Sequence, residues 1–288
     1  MAHPRRFLTV IFACVACLAA RAEPVRVVSQ TVGTDELLLA VATPEQIAAL
    51  SHLSRDPVFS GVAREAAAYP AIGHGDAETI LRYRPTLVLF SDYSRAELVE
   101  QVRRAGVPVV VFDRYLTLED AYANLRRLAA ALGDPAAVAR AETVIADCRA
   151  RLARLQERLA GATPVRVIAP STYGVIAGAG TTFQDICDHA GAENLATTLG
   201  RLQGHDTPPG EAMLLWPVET VVLGGSNLDE ALAPYLKLPP YAHFPAVRKR
   251  RVALLDAWAL GCVTHLRVHA YEQLARQLHP GRFRDPVP

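Results

Sequence analysis

Glu78-Thr79-Ile80-Leu81-Arg82-Tyr83-Arg84-Pro85-Thr86-Leu87-Val88-Leu89-Phe90 reads as an acidic residue, a short helix, a proline break and a buried strand. Glu211-Ala212-Met213-Leu214-Leu215-Trp216-Pro217-Val218-Glu219-Thr220-Val221-Val222-Leu223 repeats that order. Each copy leads into a second strand ending on a polar-aromatic edge, Asp113-Arg114-Tyr115 in one half and Asp256-Ala257-Trp258 in the other. The apolar runs Leu87 to Phe90 and Val107 to Phe112 suit strands buried on both faces of a parallel sheet. Between them Arg95 to Ala105 has helical spacing at Leu98 and Val102, and Gly106 stops it. The unit is β-α-β, with a right-handed crossover. A doubled α/β unit predicts a cleft between two similar halves, and a cleft is a place to hold a ligand.

The middle of the chain has a different rhythm. Thr117 before Glu119 and Asp120 marks a helix start. Leu118, Ala121, Tyr122, Leu125, Leu128, Ala129 and Leu132 then follow a 3.6-residue period. Gly133 closes that helix, and Asp134-Pro135 opens another, with proline where its missing N–H does no harm. From Pro135 to Leu159 the second helix is roughly 37 Å long at about 1.5 Å per residue. Its outer face is rich in Arg and Glu and is therefore solvated. A helix of this length bridges two lobes as a stiff strut.

Around this frame the sequence predicts a first strand Val25 to Val28, a polar loop Ser29 to Thr34 and a helix Asp35 to Val41. Ser54 to Pro57 and Ile72 to Gly75 read as loops. Beyond Gly161, strands are expected at Val165 to Ala169, Val221 to Leu223 and Val252 to Leu255. Helices are expected at Thr182 to His189, stopped by Gly191, and at Leu266 to Leu278. The organisation expected is a leader at residues 1–22, an α/β lobe at 23–116, linking helices at 117–161 and a second α/β lobe at 162–288.

Composition excludes several classes. Lys and Arg number 30 against 29 Asp and Glu, so no basic excess exists to hold nucleic acid or an anionic membrane surface. Arg5 and Arg6 precede the apolar run Phe7 to Ala20, which is too short to span a bilayer comfortably. Ala20-Arg21-Ala22 then reads as a signal-peptidase site, with cutting before Glu23. The mature chain is expected in the periplasm, with no membrane insertion after cleavage. It keeps Cys148, Cys187 and Cys262. Export permits a Cys187–Cys262 disulfide; buried free thiols are the simpler reading, and both stay open. The three lack zinc-site spacing.

Four segments carry a family resemblance. They are Val28-Ser29-Gln30-Thr31 with Thr34-Asp35-Glu36, Glu78 through Pro85 into its strand, Gly178 to Asn194 with its Gly191-Ala192-Glu193-Asn194 stretch, and the late strand ending at Trp258. In this order they resemble the class III, helical-backbone substrate-binding proteins that serve importers of cobalamin, haem and iron-siderophores. The resemblance implies two Rossmann-like α/β lobes joined by one long rigid helix. It implies a monomer with no cofactor that captures a cobalt- or iron-containing chelate. Delivery would be to an inner-membrane ABC permease with a cytoplasmic ATPase. In that family one glutamate on each lobe docks into arginine pockets of the permease, and those roles fall on Glu78 and Glu211. The second match is looser, because Pro217 comes one residue early relative to Pro85. The alternative for each is an ordinary first-turn helix acid.

In open α/β sheets, ligands sit outside the carboxyl ends of the strands. That rule selects the loops carrying Thr31 and Gly33, Tyr93, Asp113 to Tyr115, Ser171 to Tyr173, Gly224 to Asn227, and Trp258. Tyr93, Tyr115, Tyr173 and Trp258 offer the broad faces a flat macrocycle needs, each burying roughly 150–250 Å². His74 lies in a glycine-flanked loop and His205 in Gly204-His205-Asp206. Either imidazole, or the phenolate of Tyr93 or Tyr173, suits an axial position on iron, and simple exposure is the alternative. His52 with Arg55 and Asp56 is a rim candidate, and His265 and His269 are expected to share a helix face. Arg55, Arg95 and Arg114 would suit an anionic siderophore, but Arg replaces Lys almost throughout and discriminates poorly. The expected order of ligands is cobalamin or another corrinoid, then haem, then a ferric siderophore. An exported enzyme is the alternative from another class. It lacks a Gly-x-Ser-x-Gly elbow and a phosphate-binding loop, and Phe183 stands where a third fingerprint glycine belongs. A zinc or manganese carrier would need converging His and carboxylate ligands, and the histidines here are dispersed.

Overall fold

The computed structural model describes residues 25–73 and 75–283. The expected signal peptide and His74 lie outside the described residues. The first half runs β1 (Val27–Ser29), α1 (Val32–Val41), β2 (Ile47–Ser51), α2 (Ala63–Ala66), β3 (Ala71–Ile72), α3 (Ala77–Arg82), β4 (Leu87–Ser91), α4 (Ala96–Arg104) and β5 (Val109–Phe112). Its strands form one sheet in the order β3-β2-β1-β4-β5. Every pairing is parallel. All five residues of β4 are buried, as its unbroken apolar run requires.

Two local departures from the sequence reading have clear causes. Helix α1 begins at Val32, not Asp35, because Thr31 caps it. The Thr31 hydroxyl accepts from the Thr34 amide, and the Thr34 hydroxyl accepts from the Thr31 amide. Strand β2 is Ile47-Ala48-Ala49-Leu50-Ser51, whose alanines have low strand propensity. Pairing against β1 extends it regardless.

Two helices follow, α5 (Leu118–Ala131) and α6 (Pro135–Leu159). The second half then runs β6 (Val165–Ile168), β7 (Ile176–Ala177), α7 (Thr182–Ala190), β8 (Ala192–Asn194), α8 (Leu195–Thr198), β9 (His205–Asp206), β10 (Thr220–Gly224), α9 (Leu228–Leu232), α10 (Pro245–Arg248), β11 (Val252–Leu255) and α11 (Arg267–Leu278). Its parallel sheet has the order β11-β10-β6-β8, and β7 and β9 form a separate antiparallel ribbon. The repeated sequence therefore falls on corresponding strands: β1-β4-β5 adjoin one another as β6-β10-β11 do. The repeat is imperfect before β10. Pro209 and Pro217 bracket Gly210–Leu215, and this segment is a 3-10 helix where the first half has α3.

Helix α6 holds the halves together. Asp134 caps it by accepting from the Ala136 amide at 2.9 Å. Its buried stripe, Ala137, Ala141, Ile145, Cys148 and Leu155, packs against α1 and α5 at one end and α7 and α11 at the other. Arg140 donates to the Val41 carbonyl at 2.7 Å, satisfying the end of α1. Arg151 grips Glu272 on α11 through two bonds of 3.1 and 2.9 Å. One hydrophobic cluster is continuous from Leu38 through Leu125 and Ile145 to Tyr271 and Leu274. Bending the lobes apart would open that shared core, so the strut side is rigid.

Cys148, Cys187 and Cys262 are free and buried. Burial pushes the Cys148 thiol up to about 11 and the Cys262 thiol up to about 12. The native protein is expected to resist a thiol reagent at pH 8, and three equivalents should titrate on unfolding the chain that begins at Glu23. A loss of two equivalents in the non-reduced sample would signal a disulfide.

Candidate ligand-binding cleft

Each sheet has one place where neighbouring strands lead to opposite sides. In the first half it lies between β1 and β4, and in the second between β6 and β10. A crevice forms beyond the carboxyl ends of such strands. At the first, Thr31 and Ser91 share a hydrogen bond of 3.0 Å, and Ser94 donates to the Gln30 side chain at 2.7 Å. At the second, Pro170 follows β6 and Gly225 follows β10.

Three hollows line up along this crevice. The first, about 550 Å³, is walled by Gln30, Thr31, Leu53, Tyr93 and Arg95. The second, about 670 Å³, sets Tyr115 and Leu116 of the first lobe against Tyr173, Thr181, Phe183, His205 and Val263 of the second. The third, about 600 Å³, sets Val58 against Gly225, Asn227, Ala257 and Trp258. The second and third share Ala257. The first and second meet where Tyr93 and Tyr115 pack edge to face, their centroids 6.0 Å apart. Leu53, Val58, Tyr93, Leu116 and Tyr173 are all exposed and all line these hollows. Apolar surface concentrated in this way marks a binding groove. A further hollow of about 650 Å³ beside Arg166 and Glu219 lies at the amino end of β6, away from the crevice.

The residues singled out from sequence take distinct places. Thr31 is buried, and its hydroxyl is engaged with Thr34 and Ser91, so it frames the site. Gly33 is buried and lines none of the hollows; a Cβ there would lie 2.6 Å from Cγ2 of Val263, which lines the second. Tyr93 is 58% exposed and Tyr173 is 91% exposed, leaving both rings available to a ligand. The Tyr115 hydroxyl donates to Asp92 at 3.1 Å. Burial, then Asp92, holds that phenol above its ordinary range, which makes Tyr115 a wall and not a phenolate. Trp258 is half-buried and stacks on His269, with ring centroids 5.3 Å apart, and His269 Nε2 is 2.8 Å from Asp256 Oδ2. His205 is exposed on β9 and reaches the second hollow. His52 is exposed on a short 3-10 helix. Arg55 donates to the Tyr69 carbonyl, Arg95 to the Gly75 carbonyl, and Arg114 pairs with Asp120 at 3.0 Å.

One expectation is corrected. His265 and His269 share no helix face, because α11 starts at Arg267. His265 precedes the helix and is buried, and burial lowers its pKa to about 4, so it is neutral. Among the described residues, no group of three or more His, Cys, Asp and Glu could hold a metal ion.

Sequence reasoning missed the polar groups beneath the crevice. Arg267 is fully buried. It donates to the Cys262 carbonyl at 2.8 Å and to Asp185 at 2.8 Å within its own lobe. It also donates to the carbonyls of Tyr115 and Leu116, which leave the first lobe, at 2.5 and 2.7 Å. Tyr271 donates to the same Asp185 carboxylate. Glu36 on α1 accepts from the Thr264 hydroxyl at 2.7 Å across the lobes. No local pattern announces these pairings. Gly61 belongs with them, since a Cβ there would lie 2.9 Å from the Trp258 ring.

Glu78 occupies the first turn of α3, with its side chain 89% exposed and 3.6 Å from Arg82. Helix α3 starts at the carboxyl end of β3, so Glu78 lies at the cleft end of its sheet. Glu211 is exposed in the Gly210–Leu215 turn.

Known proteins share this architecture. A vitamin B12-binding protein of Pectobacterium atrosepticum is 30% identical over 198 residues, covering 66% of this chain and 68% of its own. The periplasmic heme-binding protein RhuT of Roseiflexus sp. RS-1, in apo form, superposes with a TM-score of 0.77 at 23% identity, over 90% of this chain and 99% of its own. A periplasmic heme-binding protein of Pseudomonas aeruginosa superposes with a TM-score of 0.75 at 25% identity, over 92% and 95%. The exported-enzyme alternative falls with these findings, since the relatives are binding proteins. The family model for periplasmic binding proteins matches residues 27–259, which span both sheets, the strut and the crevice, and the chain belongs to that family.

Proposed function

We propose that this protein is the periplasmic solute-binding component of an ABC importer, and that its ligand is a large metal chelate, cobalamin or another corrinoid first. The observation that carries this reading is the chain of three hollows, walled by exposed aromatic and aliphatic side chains. A small ion needs no such surface, whereas a broad macrocycle does. Similarity to a vitamin B12-binding protein supports the corrinoid. On this reading residues 1–22 are a cleaved signal peptide, and lobes 23–116 and 162–288 are joined by 117–161. Tyr93, Tyr115, Tyr173 and Trp258 contact the ligand, Thr31 and Gly33 frame the site, and Glu78 and Glu211 dock to the permease. The metal arrives with the ligand and is no cofactor of the protein.

Haem is the second reading. Tyr173 and His205 line the same hollow and are both exposed, so a phenolate or imidazole is available to iron. Similarity at 25% identity to a heme-binding protein supports it. Visible spectra during titration with cyanocobalamin and with haemin separate the two. The chain has two tryptophans, and Trp216 packs against Gly200 and lines none of the three hollows. Quenching of tryptophan emission should therefore be reduced in Trp258→Phe, leaving only the longer-range transfer from Trp216. No response to either compound, with tight binding of a ferric chelate, would reverse the order of ligands.

A further inference from the structure

Glu36 is 3% exposed at the floor of the cleft. Its partners come from both lobes. One carboxyl oxygen accepts from the Thr264 hydroxyl at 2.7 Å and lies 3.9 Å from Cys262 Sγ. The other accepts from the Gly61 amide at 3.3 Å. Gly61 is the residue against which the Trp258 ring closes, and Gly33, three residues before Glu36 on the same helix, abuts Val263. One carboxyl group thus stands where the first lobe's helix, its 60–61 turn and the second lobe's 262–264 loop converge.

We infer that Glu36 is a positioning residue for ligand capture: it holds the 60–61 turn and the 262–264 loop at the spacing that presents Trp258 to the ligand. The inference rests on the cleft being the binding site. Among the described residues, no Lys, Arg or His forms a salt bridge with Glu36. Asp35 on the same helix accepts from the Ser51 amide. Arg267 is committed to Asp185 and to three carbonyls. His265 is neutral, and the Cys262 thiol stays protonated. His269 and Asp256 pair with each other on the far face of Trp258. Burial therefore lifts the Glu36 carboxyl to about 7, against the opposing pull of its hydrogen bonds to Thr264 and Gly61. The floor accommodates the neutral acid, and ionisation puts an uncompensated charge between the lobes. Ionisation strengthens the two accepted hydrogen bonds, but the cost of desolvating the charge outweighs them, so the closed floor is favoured below neutral pH and penalised as pH rises through 7.

The test follows Trp258 emission in a Trp216→Phe background from pH 5 to 9, without ligand. A single transition near pH 7 is expected, and it should vanish in Glu36→Gln, which mimics the protonated acid. With whichever of cyanocobalamin and haemin binds, affinity should fall by roughly tenfold between pH 6 and pH 8.5, the effect of one further pKa unit on closure. In Glu36→Gln the affinity should stay at its pH 6 value. If Glu36→Gln does not fold, Thr264→Val serves instead and should move the midpoint upward, because a donor to the carboxylate is lost. A transition that survives in Glu36→Gln and disappears in His269→Gln would assign it to the His269–Asp256 pair and overturn the inference. So would a flat emission profile in the parent. Failure of both compounds to bind would count against the ligand assignment alone, since the unliganded titration stands by itself.

Discussion

Arg267→Met is expected to destabilise the folded protein by about 3–5 kcal/mol, the cost of breaking a buried ion pair by removing one partner. The guanidinium is fully buried and satisfies Asp185 together with three backbone carbonyls. Methionine fills much of the volume but donates nothing. Asp185 would keep Tyr271 as a donor and lose its cation. The part-buried Tyr115 and Leu116 carbonyls would lose the donor that ties them to the second lobe. For a chain of this size the loss corresponds to a melting point lower by roughly 5–10 °C, at about 2 °C per kcal/mol. The double variant Arg267→Met with Asp185→Leu should recover part of the deficit, because it removes the stranded carboxylate. It should not recover all of it, since the two inter-lobe carbonyls remain unpaired. Thermal and urea denaturation of both variants decide the matter. A loss below about 1 kcal/mol for the single variant would mean that water replaces the guanidinium and the hub is not buried as described.

Reversing charge at both proposed docking positions, Glu78→Arg with Glu211→Arg, is expected to abolish uptake while leaving ligand affinity within about twofold. The structural cost should be small. Glu78 is exposed, and its contact with Arg82 is a surface pair on one helix, of a kind contributing a few tenths of a kcal/mol. Loss of the helix-dipole interaction at a first-turn acid is similarly modest. At an interface built on opposite charge, like-charge juxtaposition costs several kcal/mol. Two such sites would remove productive docking. The measurements are uptake of labelled ligand by cells carrying only the variant, and equilibrium binding by the purified protein. Uptake at the parental rate would leave both glutamates as ordinary helix acids. Loss of ligand binding would move the defect from docking to the lobe itself.

The sequence was most readable where local rules agree. Asp134-Pro135 and a long apolar stripe marked the strut from Pro135 to Leu159, as found. Unbroken apolar runs marked β4, β10 and β11. It was least readable where tertiary pairing overrode composition. Ala-rich β2 and the polar edge strand Ala192–Asn194 are extended because β1 and β6 supply partners. The rule for strand exits brought Tyr93, Tyr115, Tyr173 and Trp258 to the rim of one crevice. It was silent on what supports them. Trp258 owes its place to Gly61 on the opposite lobe and His269 behind it.

By itself the sequence determined the α/β class, the rigid spacer, the family resemblance and the strand-exit loops that border the crevice. Each of these is encoded in periodicity, capping or residue order over a few tens of residues. Only the tertiary structure decided the floor, where Thr264 meets Glu36 across 228 positions and Arg267 meets Tyr115 across 152. Contacts at such separations leave no periodic trace. A buried polar group also reveals its partner only when the chain has brought the two within hydrogen-bonding distance.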